Sequence, residues 1–167
     1  MFHRVEEFLV SYREMTEGTA KVFEALTDGN IYQSVAGGHR TLGQIGWHIA
    51  CTVPEMMNRV GLGLGAIYPE APPPRNAAAI ASAYRKVTEE LLTAVREQWD
   101  DDPQQVTDTL YGQSWTRGRT LAVLIRHEAH HCGQMTVLLR QAGQKVPGVC
   151  GPSKEEWADH GMPAPQY

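Results

Sequence analysis

LAVLIRHEAHHCGQMTVLLRQAG, residues 121–143, is an apolar-patterned segment that carries two histidines four residues apart. In a helix with 100° per residue, His131 lies about 40° from His127, on the side that also carries the large apolar residues. Both imidazoles therefore face the interior. A buried imidazole without a partner is costly, and a divalent metal can bind the neutral nitrogens of two imidazoles at once. Because zinc-type sites use three or four protein ligands, a third ligand is expected elsewhere in the chain.

The size and charge of the chain limit what surrounds this segment. Of 167 residues, 42% are hydrophobic and 20% are charged. This length suits one domain with its own hydrophobic core, and we expect residues 1–167 to form that single domain. The net charge of −4 comes without a basic run, so no direct nucleic-acid binding is expected.

The N-terminus and the cysteines indicate the compartment. Glu6 and Glu7 stand where a signal peptide needs an unbroken apolar stretch, and no later segment is long and apolar enough to span a bilayer. The three cysteines are odd in number and lack CxxC spacing, which argues against a disulfide framework. We therefore expect a cytoplasmic protein that does not bind membranes.

Hydrophobic periodicity predicts an all-α fold with four long helices. The first spans residues 2 to about 28, and the second begins at the capping residue Thr41 and ends near Gly61. The predicted third helix runs from Asn76 to about Trp99 and the fourth from its cap Thr120 to Gly143.

The connections between these helices differ in character. Residues 61–75 are rich in Gly and Pro and predict a long crossover connection of the kind that joins bundle helices. Residues 104–119 alternate weakly around Gly112, which predicts an irregular or hairpin-like connection. Ser153 and Glu156 match a capping box and predict a short C-terminal helix that packs across the bundle, with Trp157 as its anchor.

His48 is the best candidate for the missing third ligand. On the second helix it lies roughly 90° from the centre of the apolar stripe, at the edge of the core. It can join the histidine pair only if the second and fourth helices are neighbours. The other isolated histidines compete poorly, because His3 and His160 are near the termini and His39 is in a glycine-rich turn.

The segment 127–131 also matches HExxH, the zinc-peptidase pattern in which the glutamate acts as general base on a metal-bound water. Here that catalytic residue would be Glu128. The extended motif fails because Gln134 stands where it requires glycine, although a downstream glutamate, Glu155 or Glu156, could still be a third ligand. The predicted helices offer no edge strand for a peptide substrate. The other reading makes Glu128 a flanking residue.

Four motifs resemble the DinB/YfiT-like proteins over nearly the whole chain. RTLGQIGWH lies at residues 40–48, HEAHHCGQ at 127–134, RQAG at 140–143 and GPSKEEW at 151–157. The most specific feature is one histidine in the second helix combined with two histidines four apart in the last long helix. The resemblance implies a four-helix bundle with a long crossing connection, and frequently a homodimer.

The same resemblance implies a divalent metal ion held by His48, His127 and His131. Zinc or nickel suits an all-imidazole site, and the Irving–Williams order does not choose between them. His130 lies about 60° from His127 and should not bind the same ion. His130 and Gln134 are therefore expected around the ligands, where Gln134 can orient a ligand or simply satisfy a neighbouring polar group.

Several relatives of this kind are transferases or isomerases that use a low-molecular-weight thiol, since a metal-bound thiol loses its proton and becomes a nucleophile. We therefore expect a metal-dependent thiol S-transferase acting on a small-molecule substrate. A metallopeptidase and a non-catalytic module that binds metal or a small ligand remain the alternatives. Fold and family alone do not choose among the three.

Overall fold

The four amphipathic segments form four long helices in a computed structural model that describes residues 2–65, 72–100 and 106–166. Helix α1 spans Val5–Glu24, α2 spans Leu42–Asn58, α3 spans Ala77–Gln98 and α4 spans Arg117–Gln141. Each turns its apolar stripe inward, and together they bury one continuous hydrophobic core. The expected all-α four-helix bundle is confirmed.

The packing of the bundle makes α2 and α4 neighbours. Helices α1 and α2 each pack against both α3 and α4. The condition for His48 to meet the histidine pair is therefore fulfilled. Among the described residues, no helix is both long enough and apolar enough to cross a bilayer.

A small β-hairpin connects α3 to α4, as the alternation around Gly112 predicts. Strand β1, Thr107–Leu110, pairs antiparallel with β2, Gln113–Thr116. The two turn residues between them, Tyr111 and Gly112, have φ angles of 51° and 74°. Positive φ at both central positions is the condition for the tight type I′ hairpin turn.

The N-cap of helix α4 lies four residues earlier than predicted. The hydroxyl of Thr116 accepts a hydrogen bond from the backbone N–H of Arg119 at 3.3 Å, so Thr116 is the N-cap. Thr120 is fully buried in the first turn, and its hydroxyl donates to the carbonyl of Thr116. The prediction of Thr120 as the cap is wrong, because both threonines suit a cap and only the end of the preceding strand decides between them.

Helix α1 ends at Glu24, before the predicted stop at residue 28. Beyond it, the side chains and backbones of Thr27 and Asn30 bond reciprocally, at 2.8 and 3.1 Å. Asp28 meanwhile accepts the backbone N–H of Ala77 at 2.8 Å. These polar contacts compete with helical hydrogen bonds and attach the loop to the start of α3.

The C-terminal segment forms consecutive turns rather than the predicted short α-helix. Residues 154–161 are linked largely by backbone bonds that span three residues. Glu156 reaches back to the N–H of Ser153, as in a capping box, and also binds the N–H of Gly148. Val149 lies so close to α1 that only glycine fits at Gly18. The predicted anchor Trp157 is half-buried, whereas Val149 packs against the core.

The long connection between α2 and α3 is described only at its two ends. The side chain of Asn58 accepts the N–H of Leu64 at 2.6 Å and donates to its carbonyl at 3.0 Å, which folds the chain back after α2. Residues 66–71, the middle of the predicted crossover, lie outside the described residues, as do residues 101–105 after α3.

Candidate metal centre

Three histidines from two neighbouring helices converge at one place, here called the histidine centre: His48 of α2 with His127 and His131 of α4. One nitrogen of each ring lies within 4.8 Å of the corresponding nitrogen of the other two, and all three side chains are half-buried. No other group of three His, Cys, Asp or Glu side chains among the described residues is close enough to share an ion. The structure therefore brings together the three residues expected from the sequence.

The spacing and charge of the histidine centre fit a divalent cation. The Nε2 atoms of His48 and His127 are 3.1 Å apart. Zinc–nitrogen bonds of about 2.0–2.1 Å in a tetrahedral site place two ligand nitrogens about 3.3 Å apart. Such a pair of facing nitrogens can share at most one proton, whereas a cation uses both lone pairs.

The imidazoles are held in the neutral form that metal binding requires. Burial, and after it the neighbouring charge of Arg40, lowers the pKa of His48 to about 4. Burial also lowers the pKa of His127 to about 4, with further contributions from the other histidines. The pKa of His131 is lowered as well, mainly by burial, although its hydrogen bond to Gln134 opposes the shift. A metal therefore meets little competition from protons at neutral pH.

Gln134 holds one of the three imidazoles in a defined tautomer. Its side-chain carbonyl lies 2.7 Å from Nδ1 of His131. A carbonyl only accepts, so Nδ1 must carry the proton and Nε2 presents its lone pair. The amide nitrogen of Gln134 donates to Nε2 of His130 at 3.3 Å. The rings of His130 and His131 also meet in an edge-to-face arrangement, with centroids 4.9 Å apart. Gln134 and His130, the two residues expected around the ligands, therefore both contact His131.

Glu128 follows His127 in the chain but lies in a different environment. Its side chain is 1% exposed, and its Oε1 accepts a 2.6 Å hydrogen bond from the hydroxyl of Tyr84 on α3. Burial raises the pKa of Glu128 to about 6, while the Tyr84 hydroxyl acts in the opposite direction. Glu128 is not part of the group of side chains that could share an ion with the histidines.

Two more polar side chains complete this acid cluster, which consists of Glu128, Tyr84, Tyr12 and Thr19. The hydroxyls of Tyr12 and Thr19 lie close enough to lower the pKa of Glu128, yet neither makes a hydrogen bond of regular geometry. Oε2 of Glu128 is also buried without a partner. Both tyrosines lie on apolar stripes, so the sequence pattern places their rings in the core and gives no signal for what their hydroxyls contact.

Two open pockets flank the histidine centre. One, of about 590 Å³, is lined by His48 together with Arg40 and Trp47. The other, of about 410 Å³, is lined by His131 together with Arg40 and Val137. A small molecule can therefore approach the histidines from solvent on either side. Arg40 is the charged side chain common to both pockets.

Fold and site together define a class: a four-helix bundle in which one histidine of α2 and two of α4 form a centre that could hold a metal ion. The sequence model of the DinB family matches residues 1–166, and the chain therefore belongs to the DinB family. The family and the three-histidine centre together fit a metal-binding DinB-like protein.

Individual relatives agree with this assignment. The chain is 37% identical over 166 residues to YrdA, an uncharacterized protein of Bacillus subtilis (strain 168), covering 99% of each chain. A crystallised DinB-like protein from Bacillus cereus ATCC 10987 is 39% identical, with a TM-score of 0.86 over 89% of this chain and 99% of that one. The DinB-like protein YjoA from Bacillus subtilis is 18% identical, with a TM-score of 0.67 over 86% and 97% of the two chains. This last likeness concerns the fold alone.

Proposed function

We propose that this DinB-family protein is a metal-dependent transferase that activates a low-molecular-weight thiol for attack on a small electrophile. The observation that carries the proposal is the convergence of three neutral imidazoles beside two open pockets. Three protein ligands leave coordination positions open on a zinc or nickel ion. A site that served only to stabilise the fold would be expected to close those positions with a fourth protein ligand.

In this mechanism the protein positions the reactants and the ion supplies the acidity. A divalent cation at this centre would lower the pKa of a small thiol, so that the thiolate nucleophile would exist at neutral pH. His48, His127 and His131 would hold the cation, and Gln134 orients His131 through its 2.7 Å hydrogen bond. The proton of the thiol passes to solvent as the sulfur forms a bond to carbon, and the displaced group leaves with its electron pair. At an activated double bond, the electron pair of that bond instead moves to the adjacent carbon, which takes up a proton.

The buried cysteine that follows His131 in the chain is poorly suited to replace an external thiol. Cys132 is fully buried, and burial raises the pKa of its thiol to about 12. A thiol of that kind is protonated at neutral pH and out of reach of a substrate in solution. Cys132 therefore does not supply the thiol of the proposed reaction.

The environment of Glu128 argues against the peptidase alternative. A general base must lie within about 2.6–3.2 Å of the water it deprotonates, or reach it through one further water. The carboxylate of Glu128 instead accepts the hydroxyl of Tyr84 inside the core. We therefore propose that Glu128 supports α4 from the interior and that the thiol reaction uses no glutamate base.

Two further expectations belong to the same proposal. All three cysteines are free thiols, which supports a reducing, cytoplasmic compartment. A homodimer is expected from the family resemblance, and analytical ultracentrifugation of the purified protein tests it by mass. A monomer at micromolar concentration would contradict the dimer and leave the transferase proposal unaffected.

The decisive experiment measures conjugation of thiols to a chromogenic electrophile by three preparations: zinc-loaded, nickel-loaded and chelator-stripped protein. We expect at least one thiol of the panel to react faster with a metal-loaded preparation, and we expect stripping to abolish the acceleration. His127→Ala should behave like the stripped protein, whereas His160→Ala, which removes an exposed histidine of the C-terminal segment, should retain the activity. Equal rates for loaded and stripped protein would refute the transferase and favour a binding module.

A further inference from the structure

Arg40 belongs to the RTLGQIGWH motif, and the proposed chemistry gives it no role. It lines both pockets that open onto the histidine centre, one beside His48 and the other beside His131. Its charge also contributes to lowering the pKa of all three imidazoles, which places the guanidinium within electrostatic range of each. A molecule in either pocket therefore meets Arg40 and a histidine of the centre at the same time.

The backbone around Arg40 is well anchored although its side chain is exposed. The next residue, Thr41, forms an isolated β-bridge with Ser34 and a reciprocal capping box with Gln44. The backbone N–H of Leu42 donates to the carbonyl of Gln33 at 2.7 Å. The guanidinium thus extends from a fixed point at the start of α2, which limits the backbone conformational entropy lost when it binds a ligand.

No carboxylate of the described residues forms an ion pair with Arg40. The acidic group that acts on His48, Glu55, is itself engaged by Arg59 at 2.6 Å and by the hydroxyl of Tyr111 at 2.6 Å. A planar guanidinium at the mouth of an open pocket is well suited to a carboxylate, which it can bind through two parallel hydrogen bonds.

We propose that Arg40 binds the carboxylate of a small anionic substrate whose other end reaches the histidine centre. The inference rests on the proposed function, because it assumes that one reactant occupies these pockets. Two reactants could carry the carboxylate, the thiol or the electrophile, and the chemistry of recognition is the same for both. Arg40 then acts as a specificity-determining residue that selects acids over their neutral counterparts.

Calorimetry with matched acids and amides tests the proposal on zinc-loaded protein. The thiol arm compares mercaptoacetate and γ-mercaptobutyrate, each with its own amide, so that chain length reports the span between Arg40 and the ion. The electrophile arm compares crotonate with crotonamide. In at least one arm the acid should bind at least about tenfold more tightly than its amide, as expected for a charge-assisted pair.

Variants at two arginines decide whether the preference belongs to Arg40. Arg40→Gln should lower the acid-to-amide ratio several-fold from its value in the unchanged protein, and Arg40→Lys should retain part of the preference as a point charge. Arg126→Gln is the matched control, since Arg126 is an exposed arginine next to His127 in the chain that lines neither pocket. Zinc content is measured for every variant. Because the acid and its amide are compared within the same variant, a change in zinc occupancy affects both affinities and does not by itself change their ratio.

The outcomes separate this inference from the proposed function. Equal affinity for acid and amide in both arms, no measurable binding of any acid, or an equal loss in Arg40→Gln and Arg126→Gln would overturn the role of Arg40. Acid selectivity that depends on Arg40, in a protein that conjugates no thiol, would uphold the role and refute the transferase instead.

Discussion

His127 and Glu128 are consecutive residues of α4, yet they belong to two regions with opposite properties. The histidine centre is half-buried, open to two pockets and composed of bases kept neutral by burial. The acid cluster behind it is closed, lies between α1, α3 and α4, and holds a carboxylate beside tyrosine hydroxyls. A step of about 100° around the helix separates the two regions.

This contrast shows what a short motif can and cannot predict. In the peptidase pattern, HExxH requires the histidines and the glutamate to act on one water molecule. Here the histidines meet His48, whereas the glutamate meets Tyr84. The spacing predicted the common direction of the histidines correctly. The environment of Glu128 depends on the helix that covers it, and its catalytic role stays a prediction.

The largest effect is expected when the histidine centre loses a ligand. His127→Ala should lower zinc affinity by more than about a hundredfold, beyond the range seen for residues that merely support a ligand. Competition titration against a chromogenic chelator, together with elemental analysis, measures it. His130→Ala, one helical position before His131, is the control and should retain the ion. An equal loss of zinc affinity in both variants would contradict the assignment of His127, and not His130, as a metal ligand.

The acid cluster should respond in stability rather than in metal content. Glu128→Ala leaves the buried hydroxyl of Tyr84 unpaired and opens a cavity, and we expect about 2–4 kcal/mol less free energy of unfolding. Urea denaturation measures the change. The exposed Glu14→Ala on α1 should change the same quantity by less than about 0.5 kcal/mol. Loss of the ion in Glu128→Ala, with stability intact, would place the glutamate in the metal site after all.

A smaller effect is expected at Gln134, which contacts one ligand without binding the ion. Gln134→Ala removes the 2.7 Å bond to Nδ1 of His131 and should lower zinc affinity about tenfold. The tautomer of His131, read from nitrogen chemical shifts, should become mixed in the metal-free variant. Gln134→Glu keeps an acceptor and should keep the tautomer. An unchanged tautomer in the alanine variant would leave Gln134 without an orienting role.

The two regions should also oppose each other in the pH dependence of the metal-free protein, because folding lowers the pKa of the histidines and raises that of Glu128. The pKa of His48 and that of His127 fall from 6.5 to about 4 on folding. Their stabilising contribution is complete above pH 6.5 and is lost as the pH falls toward 4, because the unfolded chain binds protons first. The pKa of Glu128 rises from 4.5 to about 6, so its contribution is present below 4.5 and lost as the pH rises through 6.

Urea denaturation between pH 4 and 7 separates these contributions. Glu128→Gln removes the opposing group, so the loss of stability on acidification should become steeper than in the unchanged protein. In His48→Ala the same loss should become shallower, because one of the two histidines no longer titrates. Identical pH profiles for the two variants would contradict the assignment of opposite signs to the two regions.

The helices and much of the candidate site could be predicted because their signals are local. Thr41 and Gln44 form the expected capping box of α2, and Asn76 caps α3. The start of α4 was missed, because Thr116 and Thr120 both carry a capping hydroxyl and the choice depends on where β2 ends. The tail beyond residue 152 was predicted as a helix because its capping box suggests one, but so short a segment gains too little from helical bonds to form a regular helix.

By itself, the sequence determined four apolar stripes, the shared direction of His127 and His131, and the edge position of His48, since helical geometry relates residues a few positions apart. Only the tertiary structure decided that α2 adjoins α4, that Glu128 faces Tyr84 and that Arg40 stands between two pockets. These relations join residues tens of positions apart. Such long-range relations depend on which helices pack together around the core, and the local periodicity of a sequence does not encode helix pairing.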